Sequence, residues 1–465
     1  MRVALNRGRS FVVLALFCLV ATGHAFSQAA PTAEQINAKA DEFMNASVRV
    51  NHFTGTVLIA RDGQPIISKG YGMADYELNV ANSPQTVFRL GSITKQFTAM
   101  AIMMLQERGK LSVADPICKY LEKCPAAWQP VTIRNLLTHT SGVPNYTDTP
   151  DFFEKEATAP YTSAGLVDVF RDKPLRFAPG EKYEYSNSGY HLLGLIIEKT
   201  SGAPYARFLS ENIFKPLGMK STGYDDSRAL VPNRARGYIQ TGDSFVNASY
   251  LNMAIPYAAG ALYSTTEDLL RWDQALYTER LVSRKSLDEM FVPFRDAGPG
   301  IGYAYGWNVG KRFDRQMTAH GGGINGFSTH IIRFPTDHVT VIVLANSENA
   351  RSSGIANNLA AIVFGAKYTI PVERKTITLS SATLDKYVGQ YELAPNFIMT
   401  ITNENGSLMA QATGQGKTEL FAESENVFFP KVVEATFTFV KDAQGQVTGL
   451  VLRQGGRDNP ARKIK

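Results

Sequence analysis

Ser92-Ile93-Thr94-Lys95 sets a hydroxyl nucleophile and an amine base three residues apart, and the reading of the whole chain turns on it. Phe97, Ala101, Met104 and Leu105 follow at helical spacing, so a helix is expected to begin near Ser92. Residues i and i+3 share a helix face, which lets the Lys95 amine reach the Ser92 hydroxyl. The helix N-terminus would add partial positive charge where an alkoxide or acyl oxyanion forms. A serine is a weak nucleophile until a neighbouring base takes its proton, and this spacing supplies one. An N-cap serine with an exposed lysine one turn later has the same spelling, so the motif needs partners elsewhere.

Tyr185-Ser186-Asn187 is the first partner. It follows the turn Phe177-Ala178-Pro179-Gly180-Glu181 and precedes a helical run from Tyr190 to Lys199. A tyrosine there can project its phenol into a cleft. Beside a lysine ammonium its pKa is expected to fall, making it a base for the serine or for a deacylating water. Asn187 offers a donor and an acceptor, suited to holding Lys95 and a substrate carbonyl. Tyr250-Leu251-Asn252 repeats the spelling without the turn-then-helix context, and Tyr185 is preferred.

His320-Gly321-Gly322-Gly323 is the second partner, directly before a strand at Ser328. Its glycines allow close approach to the backbone, and an edge N–H there could complete an oxyanion hole. His320 could bind a substrate carboxylate or donate a hydrogen bond to a reacting oxygen. His139, in Thr138-His139-Thr140-Ser141-Gly142, is read as structural, in a turn-forming stretch.

Around these pieces lies a chain built for export. Arg2, Arg7 and Arg9 form a basic start without acids, Phe11 to Ala21 is apolar, and Gly23 and Ala25 fit a cleavage site, so residues 1–25 are expected to be a signal peptide. The apolar run is too short for a comfortable membrane span, so no stable span is expected after processing, and the mature protein should be periplasmic or secreted. Losing three arginines lowers the net charge from +6 to +3, and without a dense basic cluster nucleic acid is not an expected partner. Cys118 and Cys124 remain as a close pair, a disulfide candidate in an oxidising compartment. The seven histidines are scattered, without metal-ligand spacing, so neither a metal nor another cofactor is expected.

An α+β architecture is expected. A helix at Ala33 to Val48 leads into strands Phe53 to Ala60 and Pro65 to Tyr71, joined through Asp62-Gly63. From about 110 to 290 the chain reads as a helical insert. Strands at Ser328 to Phe334 and Val339 to Leu344 and a helix at Gly354 to Val363 close the unit, so distant terminal elements would share one antiparallel sheet. Short strand candidates after Leu384 indicate a small all-β, barrel-like unit. The expected divisions are a hydrolase domain at 31–367, a linker at 368–380 and a β domain at 381–465.

The three motifs in this order, with Leu136-Leu137-Thr138-His139-Thr140-Ser141-Gly142 and Gly260-Ala261-Leu262-Tyr263-Ser264-Thr265, resemble the serine β-lactamase and penicillin-binding-protein family. The nearest branch is the class C-like esterases, D-aminopeptidases and DD-peptidases. The resemblance implies a β-lactamase/transpeptidase-like fold, Ser92 as acylated nucleophile, Lys95 as proton acceptor and Tyr185 as base or relay. It implies Asn187 and His320 as substrate contacts, with Gly322 and Gly323 at the oxyanion strand. Tyr387-Val388-Gly389-Gln390-Tyr391 and Gly445-Gln446-Val447-Thr448-Gly449-Leu450 resemble a lipocalin-like domain appended to such hydrolases. The expected function is an exported serine hydrolase acting on small peptides or esters, D-amino-acid peptides among them. The alternatives are a β-lactamase, made less apt by histidine where many carry lysine, or a penicillin-binding sensor or interaction protein without turnover. An α/β-hydrolase would need Gly-x-Ser-x-Gly, which the chain lacks. Oligomeric state is left open.

Overall fold

The computed structural model describes residues 31–226, 228–431, 435–454 and 457–465; the expected signal peptide lies outside them. An eight-stranded antiparallel sheet organises the first unit. Its strand order is Arg295–Gly298, Ile301–Tyr303, Asn308–Arg312, Arg315–Ile324, Phe327–Phe334, Val339–Ala345, Gly55–Arg61 and Gln64–Tyr71. The Gly55–Arg61 strand pairs with Val339–Ala345, so the two ends of the unit meet within the sheet, one strand in from its Gln64–Tyr71 edge.

Alternation along these strands feeds two cores. Val57, Ile59, Val341 and Val343 pack against the terminal helices Ala33–Asn51 and Ser352–Phe364. Leu58, Ala60, Ile342 and Leu344 face the other way, into the larger core against the helix Thr266–Ala275, which also holds the helix Thr94–Glu107. Period-two side-chain direction makes this division, and it lets one short sheet carry helices on both faces. The Asp62-Gly63 hairpin has both turn residues in the left-handed region, as a two-residue turn of this hand requires.

Four strands between Arg295 and Ile324 extend the sheet where the sequence reading had it resume only at Ser328. Gly321, Gly322 and Gly323 hid the longest of them, because glycine is poor in strands by propensity. Tertiary packing requires it here. A Cβ on Gly322 would stand 1.9 Å from the Leu90 carbonyl oxygen and 2.4 Å from Thr329 Oγ1.

The insert is mainly short helices and turns, with a disulfide joining Cys118 and Cys124. A three-stranded sheet of Phe88–Arg89, Leu262–Ser264 and Gly223–Tyr224 ties the approach to Ser92 to the insert. The C-terminal unit is a closed barrel of eight antiparallel strands between Gly389 and Lys463. Its interior is filled by Tyr387, Tyr391, Phe428, Phe437 and Phe439. Its last strand, Arg457–Lys463, was absent from the sequence reading; it pairs with the first, Gly389–Ala394, and closes the barrel. Within the segment read as a linker, Ile377 N–H donates to the Ala422 carbonyl of the barrel at 2.8 Å. No helix among the described residues is long and apolar enough to cross a membrane.

Candidate active site

Ser92 sits in a short 3-10 turn, Gly91–Ile93, from which the buried helix Thr94–Glu107 runs on. Gly91 takes a positive φ of 56° there, and its α-carbon abuts the Gly323 backbone so closely that a Cβ would lie 2.9 Å from the Gly323 nitrogen. This contact brings the strand Arg315–Ile324 against the Ser92 turn. The Leu90 carbonyl accepts from Thr329 Oγ1 at 2.7 Å and fastens the same junction.

Lys95 is fully buried. Its Nζ lies 2.8 Å from Asn187 Oδ1, 2.9 Å from the Ala259 carbonyl oxygen and 3.0 Å from Ser92 Oγ. The two carbonyl oxygens can only accept, so they take the two N–H bonds of a neutral amine. The lone pair is then left for the Ser92 hydroxyl proton. Burial drives the Lys95 pKa well below its ordinary value and so favours the neutral amine. The rings of Tyr185 and Tyr190 wall it in, at 4.8 and 5.5 Å from Nζ.

The Tyr185 hydroxyl donates to Ser92 Oγ at 2.8 Å. Its pKa is raised, contrary to the sequence expectation. Burial raises it and the neighbouring Tyr183 adds to the rise, while the hydrogen bond to Ser92 opposes the shift only in part. Tyr185 is therefore a phenol, able to donate a proton. Asn187 opens the helix Asn187–Ser201, and its N–H donates to Asn145 Oδ1 at 3.0 Å, in place of a cap by its own neighbour. Tyr250, the other tyrosine of this spelling, is half-exposed on the surface.

His320 is buried, and both ring nitrogens are occupied within the protein. Nδ1–H donates to the Gly321 carbonyl, 2.6 Å away, so Nε2 accepts from the Tyr303 hydroxyl at 2.9 Å. Burial pushes its pKa down to about 3, so it carries no charge at neutral pH. A carboxylate-binding imidazolium is thereby replaced by a neutral ring that fixes Tyr303. Gly323 has open space where a Cβ would point, whereas Gly322 is packed. The pairing of this strand with Asn308–Arg312 stops at Ala319, so its edge from His320 onward is left without a partner strand on that side among the described residues.

His139 does more than form a turn. Its backbone is left-handed at φ 55°, and its ring lies 4.3 Å from that of Tyr185 and 4.6 Å from that of Tyr303. Nδ1 accepts the Ser186 N–H at 3.1 Å, and its carbonyl accepts the Glu184 N–H at 2.9 Å. Both sides of Tyr185 thus hang from one histidine. Tyr303 and the Ala259 carbonyl were also absent from the sequence reading. Every residue owns a carbonyl, and Tyr303 lies in a short strand with no local motif, so neither carried a signal.

Residues 38–364 match the family described as Beta-lactamase, and residues 373–461 match a domain of unknown function, DUF3471. Penicillin-binding protein 4* of Bacillus subtilis is 34% identical over 440 residues, spanning 89% of this chain and 96% of that protein. Among solved structures, an octameric penicillin-binding protein homologue from Pyrococcus abyssi aligns with a TM-score of 0.67 at 26% identity, covering 91% of this chain and 99% of that one. A D-stereospecific amidohydrolase from Streptomyces sp. aligns at 0.61 with 28% identity, covering 72% and 100%.

Proposed function

The chain belongs to the beta-lactamase family of serine hydrolases, and we propose that it is an exported peptidase or esterase that turns over through an acyl-enzyme on Ser92. The single observation that carries this reading is the set of three contacts at Lys95 Nζ, two to carbonyl acceptors and one to Ser92 Oγ. That arrangement presents a neutral amine lone pair to the nucleophile's proton.

In the acylation step Lys95 takes the Ser92 proton as Oγ bonds to the substrate carbonyl carbon. The oxyanion is received by the N–H groups of Ser92 and Gly323. Tyr185, a phenol, gives its proton to the leaving group, and the Lys95 ammonium restores it by way of the shared Ser92 position. For deacylation Lys95 takes a proton from the water that attacks the ester, and Tyr185 gives its proton to Ser92 Oγ as the acyl bond breaks, regaining one from the Lys95 ammonium. Asn187 keeps the amine aimed through Oδ1 and turns its amide nitrogen towards Thr147 Oγ1, 3.4 Å away.

Amide and ester bonds of small acyl donors are the proposed substrates. D-amino-acid derivatives are favoured by the likeness to the Streptomyces D-stereospecific amidohydrolase. Residues 1–25, with their basic start and apolar run, are proposed as the export signal.

The test is hydrolysis of a p-nitrophenyl short-chain ester by the protein lacking residues 1–25 and by Ser92→Ala. Steady turnover that the variant loses supports the acyl-enzyme; equal rates refute it. A burst that stalls, with a lasting acyl adduct in the mass spectrum, turns the reading into that of a penicillin-binding sensor.

A further inference from the structure

A cavity of about 340 Å³ opens beside the site, lined by Arg89, Arg234, Arg236, Ser249, Tyr250 and Asn325 among others. Its two ends are anchored to catalytic elements. Arg89 precedes Ser92 by three residues, which bounds their α-carbons to about 11 Å apart. Asn325 follows Gly323 by two, at the end of the unpartnered strand edge, and its Nδ2 donates to the Ser249 carbonyl at 3.1 Å.

The arginines are held by a buried carboxylate. Arg89 Nε and Arg234 Nη2 each donate to the same Asp225 oxygen at 2.7 Å, and the Asp225 side chain is wholly buried. The other oxygen, Oδ1, is buried without a hydrogen-bond partner. Two guanidinium groups on one carboxylate leave one surplus positive charge and several N–H donors at the cavity wall. Arg236 adds none, because Glu77 neutralises it. Only 13% and 28% of the Arg89 and Arg234 side chains are exposed, so their charge is screened less than that of a surface lysine.

We infer that this cavity is a subsite for an anionic group on the acyl part of the substrate, a carboxylate held by Arg89 and Arg234. The inference rests on the acyl-transfer reading above. Tyr185, the proton donor to the leaving group, lies against Tyr303 and thereby on the His320 side of the strand edge. The leaving group departs towards that side, and an acyl chain extended along the edge runs the other way, past Gly323 to Asn325. Strand-edge pairing fixes its backbone and the guanidinium pair selects its terminal charge.

The experiment compares two acyl donors of matched chain length, p-nitrophenyl octanoate and mono-p-nitrophenyl suberate, which differ by a terminal carboxylate. The ratio of their kcat/KM values is measured at about 0.05 M and about 0.5 M salt. In the wild type the ratio should favour suberate and fall as salt rises. In Arg234→Gln it should fall about fivefold at low salt, with Arg234→Lys between the two. A salt-insensitive wild-type ratio overturns the subsite without recourse to any variant. So does a ratio unchanged within about twofold in a folded Arg234→Gln. Hydrolysis of neither ester by the wild type overturns the acyl-transfer reading itself, and the subsite with it.

Discussion

The Ser186 N–H donates to Nδ1 of His139 at 3.1 Å across 47 residues of sequence, suspending the Tyr185 loop from a buried imidazole. Nδ1 is the acceptor, so the proton of the neutral ring resides on Nε2, consistent with a His139 pKa held well below its usual value by burial. His139→Leu should strand the Ser186 N–H and place a branched side chain in a left-handed conformation. Together these lower stability by about 2–4 kcal/mol. Asparagine tolerates that conformation and offers an acceptor, so His139→Asn should retain more stability. The active-site-titrated kcat of His139→Leu should drop about 100-fold with KM little changed, as displacement of Tyr185 requires. An unchanged kcat per titrated site would reduce His139 to a purely structural role.

In the proposed mechanism Lys95 must be neutral to take the Ser92 proton, and burial lowers its pKa. Activity should therefore fall on the acid side, as pH drops through that lowered value and the amine gains a proton. Tyr185, with its pKa raised, should impose no alkaline loss below about pH 10. His320, at about 3, titrates too low to shape the profile near neutrality. The pH dependence of kcat/KM on a p-nitrophenyl ester checks this. An alkaline limb near neutrality that Tyr185→Phe removes would mean that the phenol is ionised after all.

The same burial has a sign for stability. Between the lowered native pKa of Lys95 and its ordinary 10.5, the unfolded chain binds a proton that the native state does not. Stability from this group therefore rises with pH across that window. Lys95→Met removes the titration but leaves Asn187 Oδ1 and the Ala259 carbonyl without their donor. The free energy of the wild type relative to Lys95→Met, from urea denaturation, should climb from pH 7 towards pH 10. A flat difference would show that Lys95 is charged in the folded protein.

Gly322 and Gly323 are adjacent but should respond oppositely to a methyl group. Gly322→Ala places a Cβ 1.9 Å from the Leu90 oxygen, so the strand and the Ser92 turn must part. Loss of about 1–3 kcal/mol of stability and most activity is expected. Gly323→Ala meets nothing within 4 Å. Its thermal midpoint should stay near that of the wild type while KM rises, because the methyl enters the substrate space. Equal destabilisation of the two variants would contradict the packing described.

The fold was legible wherever a local pattern carried it. The Asp62-Gly63 hairpin, the two terminal helices and the strands on either side of Pro335 announced themselves through turn chemistry and periodicity. The strand Arg315–Ile324 did not, since two of its three glycines, Gly322 and Gly323, serve contacts with Leu90 and Gly91, more than 200 residues earlier in the chain. The barrel's closing strand Arg457–Lys463 was likewise silent. It is largely exposed, lacks apolar alternation and contains Pro460, yet it completes the barrel through main-chain pairing.

The sequence by itself determined which groups are present and the i, i+3 spacing of Ser92 and Lys95, because helix geometry is local. Covalent order also carried the turn before Tyr185 and the glycines after His320. Tertiary structure alone decided their protonation. Burial moves Lys95 towards the neutral amine, holds Tyr185 as a phenol and leaves His320 an uncharged acceptor, because desolvation outweighs the charges that the sequence places nearby. Burial is a property of what the whole chain packs around a group. For that reason the residues could be named from the sequence, while their chemistry could not.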